Sequence, residues 1–244
     1  LKEDTRIATP VMPAPVVSVI IPCHNHGQFL DESVQSVLRQ TYQDFEIIVV
    51  DDGSTAEETI QILETFHQPK TRLIRTPRQG LARARNHGIA TCGGKYILPL
   101  DADDKLGSTY LEKAVAVLES NNHAGIVYCR AEFFGAVTGA WKLPDYRFPD
   151  ILCRNVIFCS AFFRKSDWRK VHGYNPNMIY GWEDYDFWLS LIELGREVVC
   201  LPETLFFYRQ RPDSMLTGMT LRHSAYSRVR LLRNHFKLYA DNIG

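Results

Sequence analysis

The chain of 244 residues carries 28 basic and 28 acidic side chains, with 45% hydrophobic and 23% charged residues. That composition fits a globular protein with a sizeable core, as one large domain or two small ones at ~150 residues each. A net charge of +0 excludes bulk electrostatic attraction to nucleic acid or to a membrane, so any positive site is local. Cys23, Cys92, Cys129, Cys153, Cys159 and Cys200 have neither a CxxC pair nor zinc-ligand spacing, and they read as reduced thiols of a cytoplasmic protein. No run approaches the ~18 apolar residues of a membrane span, and no signal peptide is visible.

Residues 1–15 contain Pro10, Pro13 and Pro15 and read as an extended linker. The chain starts at Leu1, so it is read as a piece of a longer protein. Peripheral association with the inner face of the membrane is expected through parts of that protein outside this chain. Val16-Val17-Ser18-Val19-Ile20-Ile21 is a β-branched run with little alternation, as in a central parallel strand covered on both faces. A polar loop follows Pro22, and the apolar spacing over 29–40 predicts a helix. Phe45-Glu46-Ile47-Ile48-Val49-Val50 reads as a second buried strand ending in Asp51-Asp52-Gly53-Ser54. A helix over 56–66, a short strand over 72–75 and a basic helix over 81–90 come next. The fourth strand, Lys95-Tyr96-Ile97-Leu98-Pro99-Leu100, ends abruptly in Asp101-Ala102-Asp103-Asp104.

This alternation predicts a doubly wound, mostly parallel sheet with right-handed crossovers. Ligands of such sheets bind outside the carboxyl ends of the strands. The clusters at 22–25, 51–54 and 101–104 each follow a strand end, so they are expected to converge on one crevice. Carboxylates packed as tightly as Asp101, Asp103 and Asp104 repel one another, and a divalent cation among them makes the grouping favourable. Oxygen ligands suit Mn²⁺ and Mg²⁺, and Mg²⁺ held this way usually shares its shell with substrate phosphates. The alternative is a solvated loop in which Asp104 or Ser108 caps the next helix.

Thr109 to Glu112 has capping-box spacing for a helix ending near residue 119. Short irregular strands are expected over 126–130, 131–137 and 140–143. The cluster Trp182-Glu183-Asp184-Tyr185-Asp186 continues as a helix closed by Gly195. Strands over 197–200 and 204–208 and a basic helix over 220–239 complete the chain.

The ordered set of motifs resembles a family 2 glycosyltransferase with the GT-A fold. It runs through Val17 to Pro22, Ser36-Val37-Leu38-Arg39-Gln40-Thr41, Glu46 to Ser54, Ala84-Arg85-Asn86, Gly94 to Ile97, Asp101 to Asp104 and Trp182 to Asp186. Residues 16–215 form the resembling domain, 16–104 as the nucleotide-sugar half and 105–215 as the acceptor half, followed by a basic helix over 216–244. The resemblance implies inverting transfer of a sugar from a nucleotide diphosphate donor, UDP by family frequency. The implied acceptor is a glycan or lipid-linked saccharide. It further implies that Asp103 touches Mn²⁺ or Mg²⁺ and that Asp101 lies nearer the ribose. Asp52 would accept a hydrogen bond from the base, with Pro22, His24, Asn25 and Ala102 beside the nucleotide. Asp184 would be the general base, Glu183 an acceptor hydrogen-bonding group and Trp182 a platform for a sugar face.

Three alternatives accompany these roles. Asp52 instead forms an Asx turn with Gly53 and Ser54. Asp184 caps and favourably charges the helix it opens. Arg83 and Arg85, two apart on a helix, do not share a face, so one reaches the crevice while the other pairs with an acid; family position favours Arg85 for the crevice. One departure stands out: Arg211 falls where many relatives place a metal-binding His. Arg cannot ligate a metal but suits a phosphate, so Arg211 is expected on the diphosphate and metal affinity is expected to be weak.

A phosphatase of the haloacid-dehalogenase type, with Asp101 as nucleophile, normally carries its box after the first strand rather than the fourth. A nucleotidyltransferase would need a Gly-rich, Lys-containing phosphate loop after strand one. A nucleotide-sugar-binding module without transfer activity is the non-enzymatic alternative.

Overall fold

The computed structural model describes residues 14–211 and 219–243. Most of the expected linker, together with Pro212, Asp213 and Ser214, lies outside the described residues. The first half folds as the apolar runs dictate. Strands β1 (Val17–Cys23), β2 (Phe45–Asp52), β3 (Thr71–Thr76) and β4 (Tyr96–Pro99) alternate with helices α1 (Gly27–Leu38), α2 (Glu57–Thr65) and α3 (Leu81–Thr91). The pairs β1–β2, β1–β4 and β2–β3 are all parallel. Val19, Ile20, Ile21, Ile47, Ile48, Val49 and Val50 are fully buried, as β-branched side chains covered on both faces should be. Strand β1 continues through Pro22 to Cys23, one step beyond the expected stop.

Close approach of α3 to this sheet depends on Gly88. A Cβ there would meet Ile20 Cγ2 at 2.6 Å and Val50 Cγ2 at 3.0 Å. Ser36 of α1 and Gln40 just beyond its end hold the segment after the acidic box. Leu106 N donates to Ser36 Oγ (3.1 Å), and Gln40 Nε2 donates to Gly107 O (2.8 Å). Leu111 N donates to Gln40 Oε1 (3.1 Å).

The second half is mixed. The sheet runs β3-β2-β1-β4-β8-β6-β9-β5, with β7 (Gly139–Trp141) paired to β6 (Ala124–Gly135). Strands β8 (Phe162–Arg164), β9 (Glu197–Gln210) and β5 (Lys105–Leu106) complete it. The strands expected over 126–130 and 131–137 are one long β6, and those over 197–200 and 204–208 are one β9. The two lie parallel, and register shifts between Tyr128 and Arg130 and between Arg130 and Ala131 absorb their irregularities. The capping box expected at Thr109 does not form. In α4 (Tyr110–Ser120), Thr109 makes no side-chain cap bond, and Glu112 Oε2 accepts from Thr41 Oγ1 at 2.7 Å instead.

Helix α5 (Lys165–Lys170) leads toward α6 (Glu183–Glu193), which opens on the acidic cluster and ends before Gly195 at φ 76°. The single C-terminal helix expected over 220–239 is two, α7 (Leu221–Asn234) and α8 (Phe236–Ile243), broken at His235. A capping box does start α7, between Thr220 and His223.

His235 lies 3.3 Å from Asp186 Oδ1 and 2.9 Å from Glu193 Oε2, tying the break to α6. Burial works against its charge, but these two acids outweigh it and push its pKa up to about 9. A histidine protonated more readily folded than unfolded stabilises fully below its unfolded value of about 6.5, and the contribution fades as pH rises through about 9. The melting temperature is therefore expected to decline between these pH values. A His235→Gln variant should flatten that slope, which thermal unfolding across pH would register.

Candidate active site

Three strand ends meet as their polar clusters predicted. A cavity of about 750 Å³ is lined by Pro22 near the end of β1 and His24 after it, Asp52 at the end of β2, and Asp101, Ala102 and Asp103 after β4. Its opposite wall is the loop from Pro176 to Gly181 with Glu183 of α6, and Tyr208 and Arg211 close a third side.

Asp52 is buried and accepts from Gln79 N and Gly80 N, both at 2.8 Å, so it fixes the loop that opens α3. Gly53 makes room for that loop: at φ 66°, any Cβ would lie 2.5 Å from Arg78 N. The Asx turn expected of Asp52 belongs to its neighbour, since Ser54 N donates to Asp51 Oδ1 at 2.9 Å. His24 Nδ1 contacts Asp52 O at 3.1 Å. Asn25 is not among the residues lining the cavity. It sits at φ 58°, and its Oδ1 accepts from Thr55 N (2.7 Å) and Ala56 N (2.9 Å), joining the β1 loop to the start of α2.

The two arginines of α3 divide their tasks in the opposite way to that expected. Arg83 lines the cavity. Arg85 is 1% exposed and bridges two acids, with Nη2 at 2.7 Å from Asp101 Oδ1 and Nη1 at 2.6 Å from Glu183 Oε1. Burial disfavours its charge, yet Asp101 and Glu183 hold the guanidinium pKa well above its ordinary value. Arg85 thus ties the acidic box to the first turn of α6. The next residue, Asn86, secures the opposite wall: its Oδ1 accepts from Trp168 Nε1 (2.9 Å) and Tyr174 N (2.8 Å), and its Nδ2 donates to Tyr174 O (2.7 Å).

Asp103 faces Arg211, whose Nε lies 3.1 Å from Oδ2, while Arg211 Nη2 contacts His26 Nε2 at 3.0 Å. Burial, then repulsion from Asp101, raises the Asp103 pKa. Asp104 does not cap the next helix. It is buried, accepts from Arg209 N at 2.8 Å and so moors the box to β9, with its pKa raised mainly by burial. Arg209 reinforces this by donating from Nε to Asp103 O at 2.8 Å.

Among the described residues, ligand atoms of Asp101, Asp104 and Cys159 lie within 4.8 Å of one another. That trio is poorly suited to a cation. Asp101 already serves Arg85, and burial raises the Cys159 thiol pKa well above its ordinary value, which suppresses the thiolate a metal requires. Asp103 stands at the cavity wall, where repulsion from Asp101 is only partly offset by Arg211 and His26.

Asp184 stands second in α6 rather than at its cap, which is Trp182 at φ 67° with no side-chain cap bond. Its Oδ1 accepts from Tyr185 N at 2.7 Å. Desolvation first, then Glu183, lifts its pKa to about 7, against the lowering pull of Arg85. Neither Asp184 nor Trp182 lines the cavity, which Glu183 alone of this cluster reaches; Trp182 lies under Arg228, whose guanidinium is 5.4 Å from the ring centre. Arg78 lines the cavity although nothing in the sequence marked it, joined by His26 of the polar loop after Pro22, which was expected beside the nucleotide, and by Arg83, the alternative to Arg85 for the crevice. Arg83 was recoverable, because Ala82, Arg85, Gly88 and Ile89 mark the buried stripe of α3 and leave Arg83 off it.

Carboxylates gathered at the ends of parallel strands, facing an acidic helix start across a cavity, lie where α/β enzymes bind their ligands. Residues 18–181 match the model of Glycosyl transferase family 2, and the chain belongs to that family: it is a glycosyltransferase. EpsE of Bacillus subtilis (strain 168), which carries a glycosyltransferase name, is 33% identical over 209 residues, covering 82% of this chain and 75% of EpsE. The chondroitin synthase of Escherichia coli is 28% identical over 200 residues, which are 80% of this chain but 29% of that protein. The crystal structure of S. aureus TarS 1-349 in complex with UDP-GlcNAc superposes with a TM-score of 0.69 at 17% identity, covering 91% of this chain and 73% of that one. The fold is the GT-A fold. The phosphatase and the inactive binding module give way to the transferase.

Proposed function

We propose that the protein is an inverting transferase that moves a sugar from a UDP-sugar to a hydroxyl of a glycan or lipid-linked saccharide. The observation that carries this reading is the meeting of Asp52, Asp101 and Asp103 with Glu183 around one cavity. Oδ1 of Asp52 accepts from both Gln79 N and Thr76 Oγ1, but Oδ2 has Gly80 N alone and keeps a lone pair for an N–H of the base. Asp103 would hold Mn²⁺ or Mg²⁺, and its raised pKa fits a position that a cation would relieve. Such an ion, when bound, supplies Lewis-acid neutralisation of the leaving diphosphate.

Arg211 offers planar donors to the diphosphate, and Arg83 adds positive charge on the same cavity. Glu183, oriented by Arg85, hydrogen-bonds the acceptor. Asp184 takes the proton from the attacking hydroxyl, for which a pKa near 7 is well matched. The UDP-GlcNAc named for the TarS complex and the synthase name of the Escherichia coli relative support this donor and acceptor class.

A thermal-shift screen of UDP-sugars with Mn²⁺ or Mg²⁺, followed by an assay of UDP release with saccharide acceptors, tests the reading. Stabilisation by a UDP-sugar that depends on the metal is expected, and no UDP release under any pairing would reject it. Arg211→Ala should raise the donor KM roughly tenfold, the worth of one charge-assisted phosphate contact. The same variant should bind Mn²⁺ more tightly in calorimetry without nucleotide, because Asp103 loses its competing cation.

A further inference from the structure

We propose that the outward face of α7 and α8 docks the protein on an anionic phospholipid surface. Among the described residues ten large apolar side chains are exposed, and five of them, Leu221, Val229, Leu232, Phe236 and Ile243, lie on these two helices. Leu221 is 90% and Phe236 73% exposed, far beyond what a side chain resting on its own fold would show. Within α7 the spacing of four, four and three places Leu221, Ala225, Val229 and Leu232 on one stripe, and Phe236 and Ile243, seven apart, share a face of α8 beyond the break at His235. The inward stripe is separate: Ser227, Leu231, His235 and Tyr239 are buried against the domain. The helices therefore carry two apolar faces, and the fold uses one.

Charge identifies the occupant. The whole chain is neutral, yet residues 221–243 hold five basic residues and one acidic residue, Asp241. Arg222, Arg228, Arg233 and Lys237 are exposed beside the stripe. Long basic side chains flanking an apolar strip are the signature of an interfacial helix, whose apolar face enters the acyl boundary while the cations reach the phosphates. A second copy of the chain fits less well, since a two-fold contact through this stripe would bring like charges together. No helix of the described residues is long and apolar enough to cross a membrane, so docking lies in the interface plane.

The position of α7 gives docking a consequence. Tyr226 OH donates to Asn177 O at 3.2 Å, Ser227 Oγ reaches Gly181 O at 3.5 Å, and Tyr180 stacks on His223 with centroids 4.2 Å apart. The helix thus braces the cavity wall that includes Met178, Ile179 and Gly181. Docking would set this wall beside the lipid, where a lipid-linked acceptor presents its saccharide. Only this last link rests on the proposed function; the docking itself does not.

Co-sedimentation of the 244-residue chain with vesicles tests it, using phosphatidylcholine alone or mixed with phosphatidylglycerol, without donor or acceptor. The protein should pellet with the anionic vesicles and be released by salt. Leu232→Glu/Phe236→Glu and Arg222→Glu/Arg233→Glu should each weaken binding more than about tenfold. Both pairs are exposed, so their melting temperatures should match that of the parent. The proposal is overturned if the parent does not pellet with anionic vesicles, or if the variants pellet equally well. It is also overturned if sedimentation velocity reveals a dimer that Leu232→Glu/Phe236→Glu dissociates, since the stripe would then be a self-interface.

Discussion

Asp184→Asn is expected to cut sugar transfer by about 10²–10⁴-fold, the usual worth of a positioned general base, while leaving UDP-sugar affinity nearly unchanged. Its carboxyl is lifted to about 7 by burial and by Glu183, so the parent enzyme holds it protonated in mild acid and ionised above neutrality. Only the ionised form accepts the acceptor's proton. The kcat/KM for transfer should therefore rise with pH through about 7 and level off above it. The residual rate of the Asn variant should lack that rise, because the amide does not titrate. Glu183→Gln distinguishes the two neighbours. Glu183 is committed to Arg85 at 2.6 Å, so its loss should disturb acceptor KM and stability while the inflection near 7 persists. An inflection that disappears with Glu183 and survives in Asp184→Asn would exchange their roles.

Much of this arrangement was legible before any coordinates, and unevenly so. The β-branched runs at Val17–Cys23 and Phe45–Asp52 could only be buried parallel strands, and the rule on strand ends brought Asp52 and Asp103 to one cavity. What sequence left open was set by phase and by partners distant in the chain. Asp51 and Asp52 are adjacent, and alternation along β2 sends one carboxylate to Ser54 and the other to the 79–80 loop. Nothing in the dipeptide says which. The pairing of β6 with β9 was hidden because Pro202 and the bulges interrupt the pattern that would mark each as one strand. Glu112 had capping-box spacing, but Thr41 lies within 2.7 Å and takes it instead, a tertiary contact overriding a local one. The family resemblance makes Trp182 a sugar platform, yet its backbone is left-handed and its ring lies beneath Arg228.

Arg85→Ala should strongly destabilise the fold. Arg85 is 1% exposed and is the cation shared by Asp101 and Glu183 at 2.7 and 2.6 Å. Removing one partner of a buried ionic group costs roughly 3–5 kcal/mol, because the charge left behind is desolvated without compensation. Here two carboxylates are left behind rather than one. The expected loss appears as a lower denaturation midpoint in urea with little change in slope. Arg85→Lys retains the charge but has one point of attachment where the guanidinium has a planar fork, so it should restore only part of the stability. The same substitution has a catalytic signature that instability alone would not produce. Arg85 lowers the Asp184 pKa, opposing desolvation and Glu183. In variant protein that remains folded, the inflection of the rate profile should therefore move above about 7. A destabilised Arg85→Ala protein whose inflection stays in place would mean that the ion-pair bridge secures α6 to the acidic box without tuning the base it carries.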